Sequence, residues 1–413
     1  MASFSRLLLV GCFLLLAALP LQAKEKVLGM TKMVYDAINA IQVELDAENW
    51  VPALDALSKL EQRSLNNYER AHVLNMKGYT LYQTNRMESA LDTYETALAL
   101  EDLPDSQVRA LLTTVSQLAL VVEDYPAAER YALRLVSSPG KAPPDASAHV
   151  ILAQAYIGQE KYADAVAPLK AAIAMQTARG NVPRENWLSM LSAVYFNMED
   201  YLAMREVLYE LVTLYPKERY LINLAALHGQ LGETDKQLAL VESLLEDERL
   251  ESGHHLLMLA NLFLAHGLPY KAAGLLQREM EGGRIEASGR NLEMQSQAWY
   301  MAGEEARAIP PLAAAASVSE NGELYLRVAR LYMDIYEYEK AEQAAQKALD
   351  RGGLRDTGNA LLLQGMALAK RDELDAARGI FKRASKYEES KKWASQWLKF
   401  IDNEQRRIAA LTQ

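Results

Sequence analysis

Ten residues recur along the chain at intervals of 33 to 39: Ala53, Ala90, Ala128, Ala165, Met204, Gln237, Ala273, Ala308, Ala341 and Ala377. Around each lies the same order of small and large side chains. In GYTLYQTNRMESALDTYETALAL, Gly78–Leu100, the order is Gly78, Leu81, Ala90, Tyr94 and Ala97. Ala153, Tyr156, Tyr162, Ala165, Leu169 and Ala172 repeat it, and so do Trp187, Val194, Tyr201, Met204, Leu208 and Leu211, closed by Pro216. Further copies carry Ala329, Tyr332, Ala341, Ala345 and Ala348, then Gly365, Leu368, Ala377, Phe381 and Ala384. A period of this length suits two short helices and their turns. Antiparallel helices approach to about 8–10 Å where small side chains sit at their crossing, and Gly and Ala supply that while Leu and Tyr fill the space beside them.

Numbered from Gly78 as position 8, this order resembles the tetratricopeptide repeat over nearly the whole chain beyond residue 24. The resemblance implies an all-α solenoid of about ten helical hairpins in a right-handed superhelix. Five copies match well; those around Ala53, Ala128, Gln237, Ala273 and Ala308 match less well, and helical hairpins of a related type are the alternative there. Position 8 is Ser116, Leu191 or Ser296 in some copies, and position 20 is Met204 or Gln237 in two, so splayed or bent units are expected at these places.

Punctuation agrees with the period. SSPGKAPPDAS, Ser137–Ser147, and EGGRIEASGR, Glu281–Arg290, have turn chemistry and fall between copies. Gly352 follows the Ala348 helix where a glycine cap belongs. No stretch alternates apolar and polar residues as a strand does. The reading is therefore repeats over 24–136, repeats over 147–385 continuous with the first block, and a capping helix over 389–413. In that last helix Trp393, Trp397 and Phe400 share one face, with Lys391, Lys392, Arg406 and Arg407 on the other, and a solenoid end needs such a cover.

The first 23 residues read as a cleaved secretory signal: Arg6, an apolar run Leu7–Leu19, then Pro20 and Leu21-Gln22-Ala23. Leu9-Val10-Gly11-Cys12 also reads as a lipid-attachment box. Cys12 has too little apolar chain before it and too much after it, so cleavage after Ala23 is the favoured reading and a lipoprotein at Cys12 the alternative. Without Cys12 the chain has no cysteine, which suits an oxidising compartment. Periplasmic location, with no transmembrane span after processing, is the expectation. The net charge of −10 is a poor match for nucleic acid, which needs a basic stripe.

Enzymatic signatures are absent: there is no phosphate loop, GxSxG elbow or HExxH. Adjacent helix residues diverge by about 100°, so His254-His255 reads as surface or packing histidines, and Glu304-Glu305 as a solvated turn. No catalytic residue, cofactor or metal is expected.

The 21 tyrosines, against 6 phenylalanines, offer apolar rings with hydrogen-bonding tips suited to half-exposed interfaces. The repeat resemblance implies a concave groove lined by positions 2, 5, 9, 12 and 13 of each first helix. Carried onto this chain, that selects Asn75, Tyr79, Tyr82, Gln83, Gln154, Tyr195, Phe196, Asn261, Gln297, Tyr300 and Arg330. An extended peptide or protein face would lie there, unless the tyrosines only seal gaps between repeats.

The signal, the stretch YDAINAIQVELDAENWVPALDALSKLEQRSLNNYERAHVLNMKGYTLYQ and the long array are similar to periplasmic repeat proteins that accompany TonB-type energy-transduction systems in gamma-proteobacteria. That resemblance implies a helper contacting TonB, ExbB or ExbD in iron–siderophore uptake. An envelope assembly factor for polysaccharide export, pili or outer-membrane proteins, and a regulator or subunit of a cell-wall enzyme, are the alternatives.

Overall fold

The computed structural model describes residues 29–137 and 145–411. The expected leader with Cys12, and most of the stretch between Ser137 and Ser147, lie outside the described residues. Among those described are 21 α-helices and no strand. They pair in chain order: α1 (Lys32–Asp46) with α2 (Trp50–Glu61), α3 (Asn67–Gln83) with α4 (Met87–Leu98), α5 (Asp105–Val121) with α6 (Tyr125–Ser137), α7 (Ala146–Gly158) with α8 (Tyr162–Ala178) and α9 (Glu185–Asn197) with α10 (Tyr201–Leu214). Next come α11 (Glu218–Gln230) with α12 (Thr234–Glu246), α13 (Gly253–Ala265) with α14 (Pro269–Glu281), α15 (Gly289–Met301) with α16 (Glu305–Val318), α17 (Glu323–Asp334) with α18 (Tyr338–Arg351) and α19 (Thr357–Lys370) with α20 (Leu374–Ala384). The unpaired α21 (Glu388–Leu411) follows. The weakly matching copies are thus hairpins like the rest.

The ten recurring residues all lie in the first turns of the second helices. The eight alanines among them are completely buried, whereas Met204 and Gln237 are only half-buried. Small side chains let the paired helices close up, and the two larger ones keep part of their surface. At position 8 the volumes compensate. A Cβ on Gly78 would meet the Tyr94 ring at 2.6 Å and one on Gly365 the Phe381 ring at 2.7 Å; where the partner is the smaller Leu169, the residue is Ala153. Ser116 and Ser296, departures from the pattern, are buried, and the Ser116 hydroxyl donates to the Leu112 carbonyl at 2.6 Å. Ser116 is accommodated in the core because its hydroxyl bonds its own helix.

Every hairpin turns in the same way. One residue adopts the left-handed conformation in each: Glu48, Asn85, Glu123, Glu160, Glu199, Gly232, Gly267, Gly303, Tyr336 and Asp372. The next residue donates its N–H five residues back, as in Asn49 to Glu44, Arg86 to Leu81, Glu304 to Trp299 and Glu337 to Tyr332, all at 2.8–2.9 Å. This is the Schellman arrangement, which satisfies carbonyls left over at a helix end. Gly352 caps α18 as expected, with φ 72° and its N–H on the Ala348 carbonyl at 3.1 Å.

The chain forms two compact units, one ending at Tyr220 and the other beginning at Leu221, so the division falls within α11. It does not fall at 137–147, where α6 packs on α7 and Leu112, Leu135 and Ala148 share a cluster. The second unit holds a long core running from Ala225 on α11 to Ala345 on α18. Its end is covered by α21, which docks through Ala394, Trp397, Leu398 and Ile401; Trp397 stacks on Phe381 at 5.4 Å. Of the three aromatic residues expected on the docked face, only Trp397 is there. Trp393 and Phe400 are 56% and 49% exposed, because the stripe that fits the groove is centred on Ala394 and Ile401.

Candidate functional site

All eleven groove residues lie on first helices of hairpins. Asn75, Tyr79, Tyr82 and Gln83 are on α3, Gln154 on α7, and Tyr195 and Phe196 on α9, all in the first unit. Asn261 is on α13, Gln297 and Tyr300 on α15, and Arg330 on α17, in the second. Their exposure separates them. Phe196 and Tyr300 expose more than half their surface, and Gln83, Asn261, Gln297 and Arg330 are also exposed. Tyr79 and Tyr82 are half-buried; the Tyr79 ring meets Trp50 edge-on at 6.3 Å and so closes the space between the first two hairpins. Tyr195 is buried. It packs as a core residue, with the Lys170 ammonium 5.7 Å from its ring, and its neighbour Phe196 faces solvent in its place. The Asn261 amide donates to the Leu257 carbonyl of its own helix at 2.8 Å, leaving its oxygen for a ligand.

A recess of about 800 Å³ in the first unit was not anticipated. Glu185, Asn186, Ser189 and Met190 from the start of α9 face Lys217, Arg219 and Tyr220. Glu185 accepts from Lys217 Nζ at 2.6 Å, from the Tyr220 hydroxyl at 2.6 Å and from Arg219. The Tyr220 hydroxyl also lies 2.8 Å from Ser189 Oγ, and the Arg219 guanidinium sits over the Tyr220 ring at 4.6 Å. Lys217, followed by Tyr220 and Arg219, holds the Glu185 carboxyl down at about 2. An ionised, triply bonded carboxylate is a poor proton carrier at neutral pH, so this cluster acts as an electrostatic tie between α9 and the segment after α10. The one available sequence signal is spacing: Glu185 and Lys217 stand about one repeat apart.

The histidine pair shows the geometry its spacing predicts, with rings 5.8 Å apart and tilted. Among the described residues no three His, Cys, Asp or Glu side chains gather where they could share a metal ion. No described helix is long and apolar enough to cross a membrane.

Family models described as "Tetratricopeptide repeat" match residues 71–102, 116–181 and 326–390, and each match falls on hairpins seen in the structure. The chain is a helical solenoid of tetratricopeptide repeats. Solved structures similar to this chain include a tetratricopeptide repeat protein from Parabacteroides merdae ATCC 43184, 20% identical, with 62% of this chain and 98% of that one covered and a TM-score of 0.35. They also include MamA from Desulfovibrio magneticus RS-1, 18% identical over 45% of this chain and 97% of that one, TM-score 0.38. A third, YrrB, described as "a TPR protein with an unusual peptide-binding site", is 15% identical over 46% of this chain and 97% of that one, TM-score 0.36. No curated protein sequence matches this chain. A solenoid of tetratricopeptide repeats is a scaffold suited to holding protein or peptide partners.

Proposed function

We propose that this chain is a non-enzymatic scaffold of the periplasm that holds protein partners on the first-helix surfaces of its two units. The observation that carries the reading is the exposure of Phe196 and Tyr300, large rings in solvent on helices whose other faces are packed. Exposed aromatic residues flanked by amides, here Gln297 beside Tyr300, are the chemistry of anchored interfaces. Affinity would be spread over many modest contacts rather than one pocket. Replacing Phe196 and Tyr300 by Ala should leave the helical signal unchanged and weaken partner capture by about tenfold or more; undiminished capture would reject the surface.

For the partner we propose a TonB–ExbB–ExbD energy-transduction system serving iron–siderophore uptake. The support is the resemblance carried by the stretch from Tyr35 to Gln83. Cross-linking in intact envelopes, followed by mass spectrometry, tests it: recovery of TonB, ExbB or ExbD is expected, and recovery of glycan synthases or pilus components instead would replace it with the assembly-factor reading. Location is tested by the mass of the mature N-terminus. A chain starting at Lys24 is expected, and diacylglycerol on Cys12 would mean an anchored protein.

A further inference from the structure

The last helix carries a surface that the scaffold reading does not use. Residues 378–413 hold nine basic and four acidic side chains, a net +5 in a chain of −10, so the rest of the chain carries −15. On α21 the docked stripe contains Ala394 and Ile401. A helix turns about 100° per residue, so residues seven apart lie nearly in line, about 10.5 Å from one another. Lys392, Lys399 and Arg406 form such a line on the side opposite the docked stripe, and all three are exposed. None of their charged groups has an ion-pair or hydrogen-bond partner among the described residues. Trp393 and Phe400 form a second line about a quarter-turn round, with Tyr387, 40% exposed, just before the helix. Lys382, Arg383 and Lys386, also exposed and with no side-chain ion pair among the described residues, add positive charge just before the helix start.

The acidic groups of this region are largely neutralised. Asp402 pairs with Arg378 at 2.7 Å, Glu404 with Arg407 at 2.5 Å, and Glu388 lies 3.4 Å from Lys391. Glu389, in the first turn, is the exception.

We infer that this face of α21 rests on the surface of an anionic lipid bilayer. Three features favour a bilayer over an acidic polypeptide. The face is a convex ridge along one helix, whereas an extended peptide needs a groove to bury its backbone groups. It pairs exposed basic side chains with Trp and Phe, the residues that settle at the level of lipid headgroups. Its length, about 36 Å for 24 residues, presents the charges in a row to a flat surface. The −15 carried by the rest of the chain would be repelled by the same lipids, so the molecule would approach by this end.

The test uses the chain from Lys24 onward, so that the apolar run Leu7–Leu19 cannot bind lipid, with vesicles of phosphatidylcholine alone and vesicles containing about 30 mol % phosphatidylglycerol, read by flotation. Flotation with the anionic vesicles only, reversed by high salt, is expected. The K392Q/K399Q/R406Q variant should bind them about a hundredfold more weakly, because each basic side chain near such a surface contributes about a factor of five. These three side chains are solvent-facing, so unchanged circular dichroism should accompany the loss. Trp393→Ser with Phe400→Ser should lower the salt needed for release. Equal binding to neutral vesicles, no binding to either, or full binding by the triple variant would overturn the inference. Binding to polyglutamate without binding to vesicles would overturn it in favour of an acidic protein partner.

Discussion

A Cβ on Gly78 would lie 2.6 Å from Cε2 of Tyr94, so the two residues occupy complementary volumes across the α3–α4 crossing. Tyr94 is 4% exposed, and its ring has little room to move. Gly78→Ala should therefore destabilise the protein by about 1–3 kcal/mol in spite of alanine's better helix propensity. Tyr94→Leu, which recreates the Ala153–Leu169 combination, should restore part of that loss in the double variant. Chemical denaturation of the four proteins gives the coupling; simple additivity would mean that the two side chains do not compete for space.

Tyr336 holds the left-handed turn position with φ 63° where other hairpins use Gly, Asn, Asp or Glu. A bulky side chain is disfavoured there. Its ring is 77% exposed and meets Tyr338 edge-on at 6.3 Å, so little burial offsets the strain. Tyr336→Asn should stabilise the protein by a few tenths to about 1 kcal/mol. A lower denaturation midpoint would show that the tyrosine ring contributes contacts worth more than the strain.

Glu185 is held down to about 2 from an ordinary 4.5 by Lys217, Tyr220 and Arg219. A carboxyl whose folded-state value is depressed contributes stability that is complete above its unfolded value and is lost as pH falls towards the folded one. The denaturation midpoint should fall between about pH 4.5 and 2. In Glu185→Gln the midpoint should be lower at neutral pH and flatter across that window. A variant with the same acid slope as the parent would place the responsible carboxylates elsewhere.

Trp299 and Tyr300 are neighbours with opposite roles. Trp299 is 1% exposed in the core of the second unit, beneath the Arg307 guanidinium 3.4 Å from its ring centre; Tyr300 is 52% exposed. Trp299→Ala should cost about 3–5 kcal/mol. Tyr300→Ala should change stability by less than about 0.5 kcal/mol. Thermal denaturation of the pair separates core from surface on this helix, and comparable losses would mean that Tyr300 seals the repeat interface instead of facing a partner.

The period of small residues determined the architecture by itself. Close helix crossings demand Ala or Gly at fixed places, and a demand met by Ala at eight of ten recurring positions is legible without coordinates: the hairpins and their order follow. The turn between the paired helices was not legible. Its left-handed residue is Glu, Asn, Asp, Tyr or Gly, since what defines it is a backbone hydrogen bond and not a side chain. The repeat resemblance put the candidate groove residues on first helices, yet only packing decided that Tyr195 is buried while Phe196 is exposed. One residue's rotation about a helix axis separates core from solvent, and an aromatic ring fits either side. The same held for α21, where three aromatic residues suggested a covering face and the shape of the groove below chose Ala394 and Ile401. The polar tie at Glu185 joins residues about thirty positions apart through the stacking of successive hairpins, a relation that only tertiary structure creates.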